Sequence, residues 1–296
     1  MDYIIEILKA VLYGIVEGIT EWLPISSTGH LILVEDWLPF AFTKDPRFLS
    51  EFWEMFQVVI QLGAILAVVV LFWSRLWPFS KQKSAEQRRA TWRLWAKVVI
   101  ASIPAAFAGI VIDKVLESLS GKDIDGWLYN SVVVAVALIV YGVAFIVIER
   151  INRNKTPRVG SIEEMSWGTA LCVGAFQALS IVPGTSRSGS TILGSMLMGI
   201  SRTAAAEFSF FMAIPVMLGA SGIKALGFLS WVAEESVTVP PMAWVTLALG
   251  CLVSFVVSML AIRFLMDFVK KHSFAPFGIY RIALGVLVLI LFLVRR

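Results

Sequence analysis

Six stretches of this chain, 56–73, 95–112, 131–148, 208–229, 243–266 and 277–294, carry at most one charged residue each. Each is 18 residues or longer, close to the roughly 20 apolar residues that a helix needs to cross about 30 Å of hydrocarbon. In lipid, every backbone N–H and C=O must be satisfied within the protein, so such runs fold as helices. The chain is therefore expected to be an all-α polytopic membrane protein with six transmembrane helices. Composition agrees: 58% of residues are hydrophobic and 16% are charged, against about 25% charged in soluble domains. The earlier apolar stretch, 3–19, is not read as a signal peptide. It has no basic leader or small-residue cleavage site, and Glu17 and Glu21 follow at once.

Lys and Arg concentrate in three places: 75–97, 150–158, and a group comprising Arg263, Lys270, Lys271 and Arg281. The connections 35–51, 113–127 and 224–240 mix acids with few bases. The positive-inside bias places the basic segments in the cytoplasm and the mixed ones outside. The net charge of +4 reflects this bias and gives no reason to expect a nucleic-acid partner. Cys172 and Cys251 lie in apolar helical sequence as small core residues, with no disulfide framework.

The chain also resembles itself. At an offset of 160, Gly14, Ser26, Gly29, Ile32 and Leu33 meet Gly174, Ser186, Gly189, Ile192 and Leu193. Glu17 meets Gln177, Thr20 meets Ser180 and Thr28 meets Ser188. At an offset of 156, Glu51-Phe52 and Leu62-Gly-Ala64 meet Glu207-Phe208 and Leu218-Gly-Ala220. Three spans separate the copies, and an odd number inverts the second. The expectation is one integral membrane domain, 1–296, made of inverted repeats at approximately 1–150 and 160–296. Each copy opens with an apolar helix broken by Pro, Gly and Ser and then resumed. That pattern is expected of a re-entrant broken-helix hairpin, tolerated at membrane depth where it lines a cavity. Two such hairpins would bring 23–28 and 183–188 together near the midplane.

The breaks carry the chemistry. Glu17 and Glu21 are four apart and share a helix face, and carboxylates within a membrane are functional by default. Ser26, Ser27 and Thr28 put hydroxyls and N–H groups at the start of the resumed helix, a ready anion site. His30 follows one turn later. In the second break, Arg187 stands among Ser186, Ser188, Thr191 and glycines, and a guanidinium there must meet a carboxylate or an anionic ligand. Two carboxylates, hydroxyls, a His and an Arg suit phosphoryl transfer to a side-chain nucleophile, Ser27 or His30. Glu21 or Glu17 would act as base, and Arg187 and the helix N-termini would hold the equatorial oxygens. Ser26, Thr28, Ser186, Ser188 and Thr191 are further phosphate-binding candidates. No Walker-type Gly-Lys-Ser/Thr is present. No cofactor is demanded, and a divalent cation, Mg2+ or Ca2+, stays open because Glu17 and Glu21 could offer hard oxygen ligands.

Glu17-Gly-Ile-Thr-Glu-Trp-Leu-Pro-Ile-Ser-Ser-Thr-Gly-His30 and Pro183-Gly-Thr-Ser-Arg-Ser-Gly-Ser-Thr191 closely resemble the signature motifs of the bacitracin-resistance family of bacterial undecaprenyl-diphosphate phosphatases. Phe56-Gln-Val-Val-Ile-Gln-Leu-Gly63 and Glu207-Phe-Ser-Phe210 extend the resemblance over nearly the whole chain. It implies removal of the terminal phosphate from undecaprenyl diphosphate, regenerating the lipid carrier of cell-wall precursors. It also implies a place in the bacterial inner membrane with the site open to the periplasm. The partners expected are the polyprenyl diphosphate and the bilayer, with a homodimer left open. Phosphatidic-acid-type membrane phosphatases also pair Ser-Gly-His with Ser-Arg, but they need a His six residues after the Arg, where this chain has Leu193. The rival reading is a transporter or flippase for polyprenyl phosphate, since broken helices in an inverted repeat are a transport architecture. Transport needs Arg187 but not a Ser beside paired Glu and a His.

Overall fold

The computed structural model describes residues 3–120, 128 and 130–294; the 121–127 part of the connection expected outside the membrane lies beyond the described residues. Among those described, the chain is helical and forms no strand, apart from one isolated bridge between Val159 and Ile200. The helices are α1 (Tyr3–Thr20), α2 (Ser27–Trp37), α3 (Pro46–Val59), α4 (Gln61–Leu71), the short α5 (Trp73–Leu76) and α6 (Ala85–Ser120). They continue with α7 (Ser131–Asn152), α8 (Trp167–Ala178), α9 (Arg187–Leu197), α10 (Arg202–Glu234), α11 (Pro241–Lys271) and α12 (Ala275–Val294). Six are long and apolar enough to cross a bilayer: α3 with α4 as Pro46–Leu71, α6, α7, α10, α11 and α12. Five of the six runs read from the sequence lie within these helices and the sixth, 56–73, overruns Leu71 by two residues, so the chain is a multi-pass membrane protein.

The remaining long elements are two broken helices. Between α1 and α2 the chain turns back on itself: Lys9 Nζ donates to Pro39 O at 2.6 Å and Tyr13 Oη to Leu38 O at 3.0 Å. After α8, a 3-10 turn at Leu179–Ile181 leads through Pro183 and Gly184 into α9. This pair doubles back too, for the Arg158 and Val159 N–H groups donate to Gly199 O at 2.8 and 3.2 Å. Both resumed helices start on a serine in left-handed conformation, Ser26 at φ 75° and Ser186 at φ 71°. Each caps its helix by accepting the N–H of the glycine three residues on, Gly29 at 3.3 Å and Gly189 at 3.1 Å. The same Ser-x-x-Gly spacing thus produces the same local fold at both places.

Small residues let the breaks sink into the bundle. A Cβ on Gly14 would lie 2.8 Å from Gly250 O of α11, and one on Gly174 only 2.0 Å from Ala101 O of α6. Glycine at these two matched positions is what allows α1 to lie on α11 and α8 on α6. Ion pairs mark the two ends of the molecule. Arg47 meets Glu235 (3.0 Å) and Lys224 meets Glu54 (3.3 Å) at one end. Arg75 bridges Glu163 (2.8 Å) and Glu207, and Arg202 grips Glu149, at the other.

Two expectations need correction. Arg281 does not belong to a cytoplasmic basic cluster; it is fully buried in α12. Cys172 is exposed on the outer surface of α8 rather than in the core. The 3.6-residue period could not decide that in a helix apolar on every side.

Candidate active site

The first residues of α2 and α9 face one cavity of about 860 Å3, which is lined by Glu21, Ser27, Thr28, Ser186 and Arg187. Helix N-termini leave backbone N–H groups without intrahelical partners and carry the positive end of the helix dipole. Two of them converge on this space. The cavity extends along Met55, Gln61, Met217 and Lys224 toward the end of the bundle that carries the Lys224–Glu54 pair.

Glu21 is the hub. Ser27 Oγ donates to its Oε2 at 2.6 Å. Arg187 Nε and Nη2 donate to its Oε1 at 3.3 and 3.2 Å. One carboxylate therefore orients a hydroxyl with one oxygen and a guanidinium with the other. Arg187 Nη1 donates to Ser209 O at 2.8 Å, and the guanidinium carbon lies 5.9 Å over the Trp22 ring. Three of the five guanidinium N–H donors are thereby used, leaving two for a ligand. Side-chain exposure is 10% for Arg187 and 7% for Glu21, so the pair acts where water screens it little.

The other expected residues divide. Ser186 and Thr28 line the cavity with Ser27. Ser26 is buried as the cap of α2. Ser188 is buried and donates to Glu21 O at 3.0 Å, which ties α9 to the end of α1. Thr191 is buried behind the site, with its hydroxyl 2.7 Å from Ser209 Oγ, and so braces the residue whose carbonyl holds Arg187. Glu17 lies one turn before Glu21, whose N–H donates to Glu17 O at 3.0 Å. It is completely buried, and neither carboxylate oxygen has a hydrogen-bond partner among the described residues. His30 is turned away from the cavity: Nδ1 lies 2.7 Å from Ser26 O and Nε2 2.7 Å from Tyr280 Oη of α12.

Arg281 was not foreseen as part of the site. It donates to Pro24 O (3.1 Å) in the first break and to Gly184 O (2.7 Å) and Thr185 O (2.9 Å) in the second. Its guanidinium carbon lies 5.4 Å over the Tyr141 ring. One cation thus holds both breaks at the carbonyls that their missing helix bonds leave open. The sequence signal was a lone Arg in an otherwise uncharged run, which is costly in lipid without a dedicated partner. Arg281→Met keeps the stem and abandons three buried carbonyls, each worth about 1–3 kcal/mol. The expected result is a fall in melting temperature on the order of 10 °C in detergent. An unchanged melting curve would show that the breaks hold without it.

The fold and this geometry define a multi-pass membrane protein with a serine, carboxylate and arginine joined inside a cavity between two broken helices. The bacitracin resistance protein BacA family matches residues 10–287. An undecaprenyl-diphosphatase of Streptococcus thermophilus is 51% identical over 288 residues, covering 97% of this chain and 94% of that protein. One of Acetivibrio thermocellus is 47% identical over 292 residues, covering 99% and 100%. Another, of Enterococcus faecalis, is 48% identical over 281 residues, covering 95% of each. The chain belongs to the BacA family.

Proposed function

We propose that this protein is a membrane phosphatase that hydrolyses undecaprenyl diphosphate to undecaprenyl phosphate and inorganic phosphate. The observation that carries the reading is Glu21, shared between the Ser27 hydroxyl and the Arg187 guanidinium inside one cavity. The relatives named above bear the matching activity in their names.

The residues suggest a two-step transfer. Ser27 Oγ attacks the terminal phosphorus, and Glu21 Oε2, 2.6 Å away, takes its proton. The bond from that phosphorus to the bridging oxygen breaks, and undecaprenyl phosphate leaves with the proton that Glu21 passes to it. Water then attacks the phosphoserine and gives a proton to Glu21, the bond from phosphorus to Ser27 Oγ breaks, and Glu21 passes that proton to Oγ as phosphate departs. The two remaining Arg187 donors and the N-termini of α2 and α9 face the equatorial oxygens, where charge must be held in the transition state. His30, bonded at both ring nitrogens, fits a brace between α2 and α12 better than a nucleophile.

Among the described residues no three His, Cys, Asp or Glu side chains cluster to hold a metal ion. A Mg2+ or Ca2+ ion would therefore reach the cavity on the diphosphate's own oxygens with Glu21 as a protein ligand, neutralising phosphate charge. No step above is routed through it. The groups named come from one chain, so the reading does not depend on a homodimer. The segments richest in Lys and Arg, 75–97 and 150–158, lie at the end opposite the cavity mouth. The positive-inside rule then favours a mouth facing the periplasm in the inner membrane. The matched caps at Ser26 and Ser186 support reading the two broken helices as re-entrant hairpins of an inverted repeat.

The test is phosphate release from undecaprenyl diphosphate by detergent-purified protein. Stoichiometric release is expected. Protein that binds the lipid and releases no phosphate would refute the phosphatase and leave the flippase.

A further inference from the structure

A second cavity lies at the end of the molecule richest in Lys and Arg. It holds about 240 Å3 and forms where three elements stop, at the C-termini of α7 and α9 and the N-terminus of α10. Its walls are tied together. Asn152 Nδ2 donates to Met196 O at 3.1 Å, the Arg158 N–H to Gly199 O at 2.8 Å, and the Ser201 N–H to Val159 O at 2.9 Å. Gly199, at φ 80°, turns the chain and lets the Arg158 stem lie against its backbone. The space is thus a built concavity, and nothing in the phosphoryl-transfer mechanism uses it.

Four cations line this cavity, Arg153, Lys155, Arg158 and Arg202, and no Asp or Glu does. Arg202 is held by Glu149. Arg153, Lys155 and Arg158 are exposed, with no ion-pair partner among the described residues. The acids nearest in sequence are engaged elsewhere. Glu149 also accepts the Phe274 N–H, Glu163 meets Arg75, and Glu164 accepts the Gly160 N–H at 2.8 Å. The positive-inside bias asks only for basic residues on this side of the membrane. It gives no reason for three like charges to converge on one concavity, where they repel until an anion enters. The first turn of α10, beginning at Arg202, adds the positive end of a helix dipole.

The level of the cavity decides which anion. The membrane spans α7 and α10 end and begin at it, and Leu197 and Met198 in its wall are exposed apolar side chains. Cations beside an apolar outer wall at the end of a span suit a lipid, with its phosphate on the cations and its chains along Leu197 and Met198. The volume is below the roughly 300 Å3 at which pockets for drug-sized ligands begin, so a headgroup enters and the chains stay in the bilayer. We infer that this cavity binds the phosphodiester headgroup of an anionic phospholipid, such as phosphatidylglycerol, from the adjoining leaflet. The lipid ties α7 and α10 to the far end of α9, the helix whose first residue is Arg187. The site does not depend on the phosphatase reading.

The experiment changes Arg153, Lys155 and Arg158 to Gln together and follows phosphatidylglycerol bound to the full-length protein by native mass spectrometry. The lipid is titrated against a phosphatidylcholine background. A control variant, Lys81→Gln with Arg89→Gln and Arg93→Gln, removes the same charge from exposed positions outside the cavity. The three cavity cations pair with nothing in the fold, so melting temperature should hold. Each cation facing an anionic lipid is worth about fivefold in affinity. The cavity variant should therefore bind phosphatidylglycerol on the order of 100-fold more weakly, with the control close to wild type. Equal losses in the two variants, or no loss in either, would overturn the site and leave only the general attraction of a basic face. Binding of inorganic phosphate with no preference for phosphatidylglycerol over phosphatidylcholine would make it a free-anion site and overturn the lipid.

Discussion

Ser27→Ala is expected to lower phosphate release by on the order of 10^4-fold or more, the scale on which loss of a covalent nucleophile is felt. The fold should hardly notice. Ser27 contributes one hydrogen bond to Glu21 Oε2, and Glu21 keeps two donors from Arg187 on its other oxygen. Substrate should still bind, since the two unused Arg187 donors and both helix N-termini remain. His30→Ala is the informative partner. It removes the contacts to Ser26 O and Tyr280 Oη and so loosens α2 against α12, which should cost only about tenfold in rate. Acid-quenched turnover with labelled substrate should trap label as acid-stable phosphoserine on Ser27, whereas phosphohistidine is acid-labile. Ser27→Ala within tenfold of wild type, with His30→Ala far below both, would reverse the assignment.

How much of this could be read from the chain follows from the range of each interaction. The spans were legible because a run without charge long enough to cross lipid has few alternatives. The breaks were legible because Pro, Gly and Ser act locally, and the paired caps at Ser26 and Ser186 need only a few neighbouring residues. Site membership was legible in part. Glu21, Ser27 and Arg187 do meet, though 166 residues separate Glu21 from Arg187. The direction of His30 was not legible, because its partner Tyr280 lies 250 residues away. Nor was the partner of Thr191 across the fold: its hydroxyl bonds Arg187 O and Ser188 O in its own helix, but it also reaches Ser209 on α10. Arg281 misled for a related reason. By sequence it adjoins a basic turn, and only the packing of α12 against α7 brings it to Pro24, Gly184 and Thr185. A one-dimensional charge count cannot separate a cation facing water from one facing carbonyl groups.

Arg187→Ala should be nearly as damaging to turnover as loss of the nucleophile, and it should harm the fold as well. Removing a preorganised donor aimed at transition-state charge costs on the order of 100-fold to 1,000-fold, and here the donor is a full charge. The same change leaves the Glu21 carboxylate, 7% exposed, without its cation, and breaking a buried pair typically destabilises by about 3–5 kcal/mol. Arg187→Lys separates the two effects. Lysine restores a charge beside Glu21 but is a point donor on a flexible stem. It cannot serve Glu21 Oε1, Ser209 O and a phosphate from one rigid plane. Melting temperature should therefore recover most of the way in Arg187→Lys while kcat stays at least about 100-fold down. A double-mutant cycle with Glu21→Gln measures the rest. If Arg187 acts only by pairing with Glu21, the second substitution adds nothing to the first. If it also holds phosphate, Glu21→Gln with Arg187 retained should still bind undecaprenyl diphosphate more tightly than either Arg187 variant. Equal and weak binding in all three would reduce Arg187 to a structural ion pair and remove the phosphate grip from the site.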